Sequence, residues 1–347
     1  MVIRLGRKMI GDGRPCFLIA EAGVNHDGRL EPALRLVDVA ADAGADAVKF
    51  QTFRADALAA ACAPQAAYQR LDAAARSQRD MLRRLELNEA AHRALIARCR
   101  KRAILFLSTP FDEESADLLE RLDVPAFKLP SGELTNLPLL SHIARKGRPM
   151  LVSTGMATLT EVRSAVRVIR RAGNPPLVLL HCVSSYPAEP AWSNLRAMAT
   201  LRNAFRVPTG YSDHALGPEV SLAAAALGAA VLEKHFTLDK SRPGPDHAMS
   251  MSPDELQNWV RGVRAVESAL GDGLKRPMPP EIPIAKVARK SLVAARPIAR
   301  GERLTAVAVA RKRPGTGLPP AALTGLLGRR ALRDIPADAL LSRRLFS

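Results

Sequence analysis

Eight short apolar runs, each closing on polar residues and each parted from the next by a longer stretch, limit what this chain can fold into. They are FLIAEAGVNH (17–26), DAVKFQT (46–52), AILFLSTP (103–110), AFKLPSGE (126–133), PMLVSTG (149–155), PLVLLHCVSSYP (176–187), VPTGYSDH (207–214) and AVLEKHFT (230–237). Between the first two, Leu30, Leu34, Val37 and Ala41 recur at helical spacing, and Gly44 stands where a C-terminal cap belongs. Segments 112–122, 159–172 and 218–227 repeat that pattern, and Ser252 with Glu255 three residues on predicts a capping box. Eight strand–helix units in about 250 residues predict an α/β fold, a (β/α)8 barrel. An open doubly wound sheet fits less well, because no GxGxxG turn follows the first strand.

The barrel is expected over 1–270. Residues 271–285, GDGLKRPMPPEIPIA, hold four prolines and no apolar period, and so predict a linker. Beyond it, SLVAARPIARGERL and AVAVARKRP predict short strands around a turn at Gly301, in a small, largely β module over 286–347.

Charge is uneven. The net +17 is concentrated in 271–347, where sixteen Lys/Arg face five Asp/Glu. A basic tail suits nucleic acid, an anionic small substrate, or solubility alone. It has no Tyr or Trp and one Phe, Phe346, which argues against a base-stacking surface. No apolar run reaches the ~18 residues of a membrane span, and the first residues lack the apolar stretch of a secretory signal. A cytoplasmic location is expected. Cys16, Cys62, Cys99 and Cys182 are scattered without a CxxC pair and read as reduced, buried thiols.

In a barrel of this kind, chemistry gathers at the C-terminal ends of the strands. Those ends carry Glu21, Asn25 and His26; Lys49 and Gln51; Ser108 and Thr109; Lys128, Ser131 and Glu133; Ser153 and Thr154; His181, Ser184 and Tyr186; Tyr211, Ser212, Asp213 and His214; and Glu233, Lys234 and His235. A single polar strand end is ordinarily a cap or a solvated group. Eight together point to one shared site. His214 and His235 end neighbouring strands and could meet on one divalent metal with positions left open for substrate oxygens. Lys49, Lys128 and Lys234 with Ser131, Ser153 and Ser212 form a cationic, hydroxyl-rich set suited to phosphate or carboxylate. Glu21 and Glu133 are acid–base candidates. Asp246, in the loop SRPGPDHAM, is placed to face a polyol. The residues by themselves predict a metal-assisted enzyme for an anionic substrate and name no reaction.

IAEAGVNHDG, VKFQT, FKLPSGE, STGM, HCVSSYP, GYSDH, LEKHFT and GPDHAMS, in this order from residue 17 to 251, resemble the motif string of the sialic acid synthase family. RKSLVAARPIARGE and RKRPGTG resemble the small antifreeze-like (SAF) domain that ends those enzymes. The resemblance implies condensation of phosphoenolpyruvate with an open-chain N-acyl hexosamine, N-acetylmannosamine or a 2,4-diacetamido-trideoxyhexose, to give a nine-carbon 2-keto acid and phosphate. It implies His214 and His235 as ligands of a divalent metal, typically Mn²⁺, with Mg²⁺ the alternative. It places Lys128, Ser131, Ser153, Ser212 and Thr109 on phosphoenolpyruvate, and Lys49, Gln51, Tyr186 and Asp246 on the sugar. Glu21 is implied to handle protons and Glu133 to orient the reacting groups. Arg313 is implied to reach the partner's site in a domain-swapped homodimer. Val183 or Ser184, and Pro130, depart from the pattern common in the family and bear on the sugar. Two other readings stand beside this one: a metal-dependent barrel hydrolase, which would want further protein ligands, and a basic nucleic-acid-binding protein without catalysis, which would leave the eight polar strand ends without a purpose.

Overall fold

The computed structural model describes residues 1–65 and 77–347, in two units, Met1–Gly271 and Asp272–Ser347. In the larger unit a hairpin of β1 (Val2–Leu5) and β2 (Lys8–Gly11) precedes eight parallel strands. These are β3 (Phe17–Gly23), β4 (Ala47–Thr52), β5 (Leu105–Pro110), β6 (Phe127–Leu129), β7 (Met150–Ser153), β8 (Leu177–Cys182), β9 (Thr209–Asp213) and β10 (Val231–His235). The ladder runs β5-β4-β3-β10-β9-β8-β7-β6. Strands from opposite ends of the unit are therefore neighbours, with Val231 opposite Phe17 and His235 opposite Glu21. The sheet curls into a nearly closed barrel, interrupted between β5 and β6.

The helices start and stop where local chemistry dictates. Leu30–Asp42 ends in Gly44 at φ +82°; the amides of Gly44 and Ala45 return to the carbonyls of Ala41 and Ala40, a glycine-terminated helix end that needs the left-handed conformation. Pro253–Leu270 begins in the expected capping box, Glu255 N donating to Ser252 Oγ and Ser252 N to Glu255 Oε2. Glu113–Arg121, Leu159–Ala172 and Glu219–Ala226 match the periodic segments. Glu89–Lys101, Leu137–Ala144 and Ala197–Phe205 complete the outer layer. The first of these is hard to see in sequence because its buried stripe is Ala91, His92, Leu95 and Cys99, with a histidine and an alanine where large apolar residues would mark the period.

Strand alternation sorts the core into two. Phe17, Ile19, Ala47, Leu107, Leu151, Val178, Leu180 and Val231 form the cluster inside the barrel, together with Ile3, Leu5 and Ile10 of the hairpin. Their neighbours Leu18, Val48, Phe106, Val152, Leu179 and Leu232 face outward and join the helices in the larger cluster. Successive side chains point to opposite faces of a strand, so the parity of a residue decides which side of the barrel it enters. Among the described residues no helix is long and apolar enough to cross a membrane.

The smaller unit holds an antiparallel pair, β11 (Ser291–Ala294) and β12 (Val309–Lys312), with Ser291 opposite Lys312. Single bridges such as Ile298–Ile335 extend it around a core of Leu292, Ile298, Leu304, Ile335, Leu341 and Phe346. As expected, the two strands pair antiparallel about a connection that has Gly301 in a turn at its middle, at φ +82°. The proline-rich stretch is not wholly irregular. Glu281–Ala288 is a helix, and Pro283 is tolerated because it lies in the first turn, where no intrahelical N–H bond is lost.

Candidate active site

Parity carries the inner row of every strand up to one basin. Above the apolar layer the inward positions are Glu21, Lys49, Gln51, Thr109, Lys128, Ser153, Cys182, Ser212, His214, Glu233 and His235, and all line the same cavity. The outward positions do not. Lys234, expected from the sequence in the cationic set, turns away and donates to Asp213 Oδ2 at 2.8 Å and to the Ala215 carbonyl. It has the opposite parity to Glu233 and His235, so its ammonium neutralises a buried aspartate behind the barrel wall. Ser108 likewise faces out, its hydroxyl 2.7 Å from that of Thr52.

Lys49 Nζ lies 2.9 Å from Glu21 Oε2 and 3.6 Å from Glu233 Oε2, and donates to Thr109 Oγ1 at 2.9 Å. Lys128 donates to Ser153 Oγ at 2.8 Å and lies 3.3 Å from Glu233 Oε1, which accepts from Ser212 at 2.8 Å. Glu233 thus bridges two ammonium groups at the centre of the basin. The sequence reading placed Glu233 in the shared site without a specific role, although it shares parity with His235 two residues on. Lys49, assigned by resemblance to the sugar, lies with Thr109 among the phosphate-type groups.

The two carboxylates differ by their surroundings. Burial, with the charge of Glu233 beside it, pushes Glu21 up to about 7 despite the Lys49 ammonium. Against the cost of burial, Lys128 and Lys49 hold Glu233 down at about 2. One is a permanent anion and the other titrates near neutrality, the division that lets a carboxyl exchange protons at working pH. Glu21 Oε2 and Glu233 Oε2 are buried acceptors without a hydrogen-bonding partner; the Lys49–Glu21 contact is close but not aligned as a hydrogen bond.

His214 and His235 meet with ring centroids 5.5 Å apart. His214 Nδ1 is held by the Val183 carbonyl at 2.8 Å, which aims Nε2 elsewhere, an orientation common to metal-binding histidines. Burial, and then the facing His214 ring, keep His235 neutral, and its Nδ1 is a buried atom without a partner, 3.8 Å from Asp246 Oδ2. Burial opposes the charge on His214, but Cys182 beside it and the Val183 carbonyl raise its imidazole above the ordinary value. Two imidazoles beside carboxylate oxygen supply the nitrogen and oxygen donors that suit a borderline divalent cation. Among the described residues no group of three or more His, Cys, Asp or Glu could hold a metal, so a cation here would take its other ligands from substrate or solvent. A barrel hydrolase would want more protein ligands than this pair. Cys16, Cys99 and Cys182 are free and buried as expected, but Cys62 is exposed; Cys182 also lines the basin, its Sγ 3.7 Å from His214 Nδ1.

Above the basin a wider cavity of about 470 Å³ is lined by Gln51, Ser131, Glu133, Ser184, Tyr186, His235 and Asp246 among others. Tyr186 packs on His214 with centroids 4.1 Å apart. Glu133, in the turn Ser131–Glu133, accepts from Asn136 at 2.7 Å. Two glycines keep this space open. A Cβ on Gly155 would meet Ser184 Oγ at 2.3 Å and Ser131 Oγ at 2.7 Å, and Gly23, at φ +53°, would direct one toward Asp246, Glu21 and Gln51. Arg313 belongs to the smaller unit, where its Nε donates to the Ala288 carbonyl.

The chain matches the NeuB family over residues 36–275 and the SAF domain over 289–343. It is 45% identical to N,N'-diacetyllegionaminic acid synthase of Legionella pneumophila over 97% of this chain and 96% of that one. It is likewise 45% identical to the enzyme of the same name from Campylobacter jejuni, over 94% and 98%. The crystal structure of the spore coat polysaccharide biosynthesis protein SpsE of Bacillus subtilis superposes with a TM-score of 0.68 at 39% identity, covering 100% of this chain and 99% of that one.

Proposed function

The chain belongs to the NeuB family, its barrel followed by an SAF domain, and on that premise we propose that it condenses phosphoenolpyruvate with an open-chain N-acyl hexosamine, giving a nine-carbon 2-keto sugar acid and phosphate. The observation that carries this is the basin itself, where Lys49, Lys128, Thr109, Ser153 and Ser212 converge on one point with a titrating carboxyl, Glu21, beside them.

The ammonium and hydroxyl groups bind the phosphate and carboxylate of the enol ester. Its C3 forms the new carbon–carbon bond to the sugar aldehyde, whose oxygen takes a proton. Water adds at C2, the C2–O bond to phosphorus-bearing oxygen breaks, phosphate departs and C2 becomes the ketone. Glu21, ionised, accepts the proton of that water and returns it on collapse. Gln51, Tyr186 and Asp246 hold the sugar, and Glu133 orients it. His214 and His235 would hold a divalent cation, Mn²⁺ or Mg²⁺, which when bound supplies Lewis acidity toward the aldehyde oxygen. Arg313 serves the barrel of a second copy, so that the working unit is a homodimer.

The test is phosphate release from phosphoenolpyruvate with a panel of N-acyl hexosamines, product masses measured in parallel. In ¹⁸O-labelled water the keto acid should carry the label and the phosphate should not. Label in the phosphate would mean attack at phosphorus and would refute the scheme.

A further inference from the structure

Asp246 lines the wider cavity from the loop that follows β10, and the residue after it is fastened to the loop that follows β3. His247 Nε2 lies 2.9 Å from Asp27 Oδ1, and its Nδ1 lies 2.6 Å from Thr237 Oγ1. A carboxylate only accepts, so Nε2 carries the hydrogen of that contact. The second oxygen of Asp27 is 2.6 Å from Arg242 Nη2. The imidazole is thus gripped at both nitrogens, with its side chain only 1% exposed. Gly244 lets the loop close on the ring, for a Cβ there would meet His247 Cδ2 at 2.6 Å.

An aspartate, an imidazole and a hydroxyl in line have the order of a hydrolytic triad. Thr237 is fully buried, however, and its oxygen also accepts from the Asp239 amide at 3.2 Å. That hydroxyl cannot meet a substrate, so the chain fastens the loop rather than attacking anything. A second tie runs beside it. Ser250 Oγ donates to the Asp246 carbonyl at 2.6 Å, and Asn25 Nδ2 donates to Ser250 Oγ at 2.9 Å and to the Phe236 carbonyl at 2.8 Å. Asp246 is therefore fixed through its own carbonyl and through its neighbour's ring, which keeps its Oδ2 at 3.8 Å from His235 Nδ1.

We propose that Asp27 and His247 are positioning residues: the chain Arg242–Asp27–His247–Thr237 holds Asp246 at the cavity and thereby sets the affinity for the acceptor sugar. The inference rests on the reading that Asp246 serves that sugar, and names the residues that place it.

The experiment measures KM for N-acetylmannosamine and for a 2,4-diacetamido-trideoxyhexose, and KM for phosphoenolpyruvate, by phosphate release. Asp27 has φ +53°, so Asp27→Gly removes the carboxylate without straining the backbone. Asp27→Asn also accepts the left-handed conformation and keeps an acceptor for His247. A displaced group costs up to ~10²-fold, so Asp27→Gly and His247→Phe should raise the sugar KM by about 10-fold or more with the KM for phosphoenolpyruvate unchanged. Asp27→Asn should recover most of the loss. In an Asp246→Ala background Asp27→Gly should add nothing further. Should Asp27→Gly and His247→Phe fail to fold, Arg242→Ala, at a side chain 26% exposed, must show the same selective rise at smaller size. A sugar KM within about twofold of wild type in the folded variants, an equal rise for both substrates, or the same loss with and without Asp246 overturns the inference and leaves the condensation standing. An Asp246→Ala enzyme with the wild-type sugar KM overturns the role of Asp246, and phosphate release with neither sugar overturns the condensation; the inference falls with either.

Discussion

His235 and Glu21 are register partners on β10 and β3, although more than two hundred residues separate them in the chain. That pairing sets the His235 imidazole on the strand next to Glu21, a carboxyl that burial raises to about 7. Each group defines an experiment.

Glu21 is held at about 7 by burial. Its ionised form is the base and is lost as pH falls, so kcat/KM should decline below pH 7. Glu21→Gln should remove that acidic limb and lower kcat by about 10²–10⁴-fold, the range of a positioned proton carrier. A wild-type profile flat from pH 5.5 to 8 would contradict the assignment.

Chelation should abolish turnover, and Mn²⁺ or Mg²⁺ should restore it. His214→Ala and His235→Ala should each lose most activity while retaining native circular dichroism, and Mn²⁺ binding followed by electron paramagnetic resonance should disappear with them. Full activity in excess chelator would sink the metal role.

Glu233 stands between two buried ammonium groups. Glu233→Gln leaves them less compensated, and loss of one partner of a buried ion pair costs about 3–5 kcal/mol. Denaturant melts should show that loss together with a raised KM for phosphoenolpyruvate. A variant as stable as the parent would show that the bridge is not structural.

His26 is buried and its imidazole is pushed down to about 4, chiefly by desolvation. The unfolded chain, with a histidine near 6.5, binds the proton first as pH falls. Stability is therefore full above pH 6.5 and declines toward pH 4, by about 3 kcal/mol over that window. Comparison of denaturant midpoints for wild type and His26→Asn at pH 7 and pH 4.5 isolates this contribution; identical pH dependence in the two proteins would refute it.

Arg313 is tested by mixing. Glu21→Gln and Arg313→Ala, each nearly inactive alone, are co-refolded. If the small domain serves a partner's barrel, each mixed dimer holds one intact site, and random pairing returns roughly a quarter of wild-type activity. A mixture that stays inactive places Arg313 with its own barrel.

The sequence by itself determined the eight parallel strands and the helices with a clear apolar stripe, because an apolar run of five or six residues and a helical period are local patterns; it left out the N-terminal hairpin and the helices Glu89–Lys101 and Glu281–Ala288. It determined the shared site as well, since every strand ended polar at the same side of the fold. Parity was legible too, had it been applied: Glu233 and His235 agree and Lys234 does not, which already separates two basin groups from a residue behind the wall. The tertiary structure alone decided the rest. Only the pairing of β3 with β10 brings Glu21 to the strand beside His235, and only the assembled basin drives the two carboxyls apart, burial raising Glu21 while Lys128 and Lys49 hold Glu233 down against burial. The separate apolar cluster of Val24, Phe53, Ala55, Met81, Leu82 and Leu85 had no signal in the sequence, for the helices Ala55–Leu58 and Gln78–Arg83 are too short to show a period. Depth, neighbours across the ring and the charge state they impose arise from groups far apart in the chain, and no local pattern encodes them.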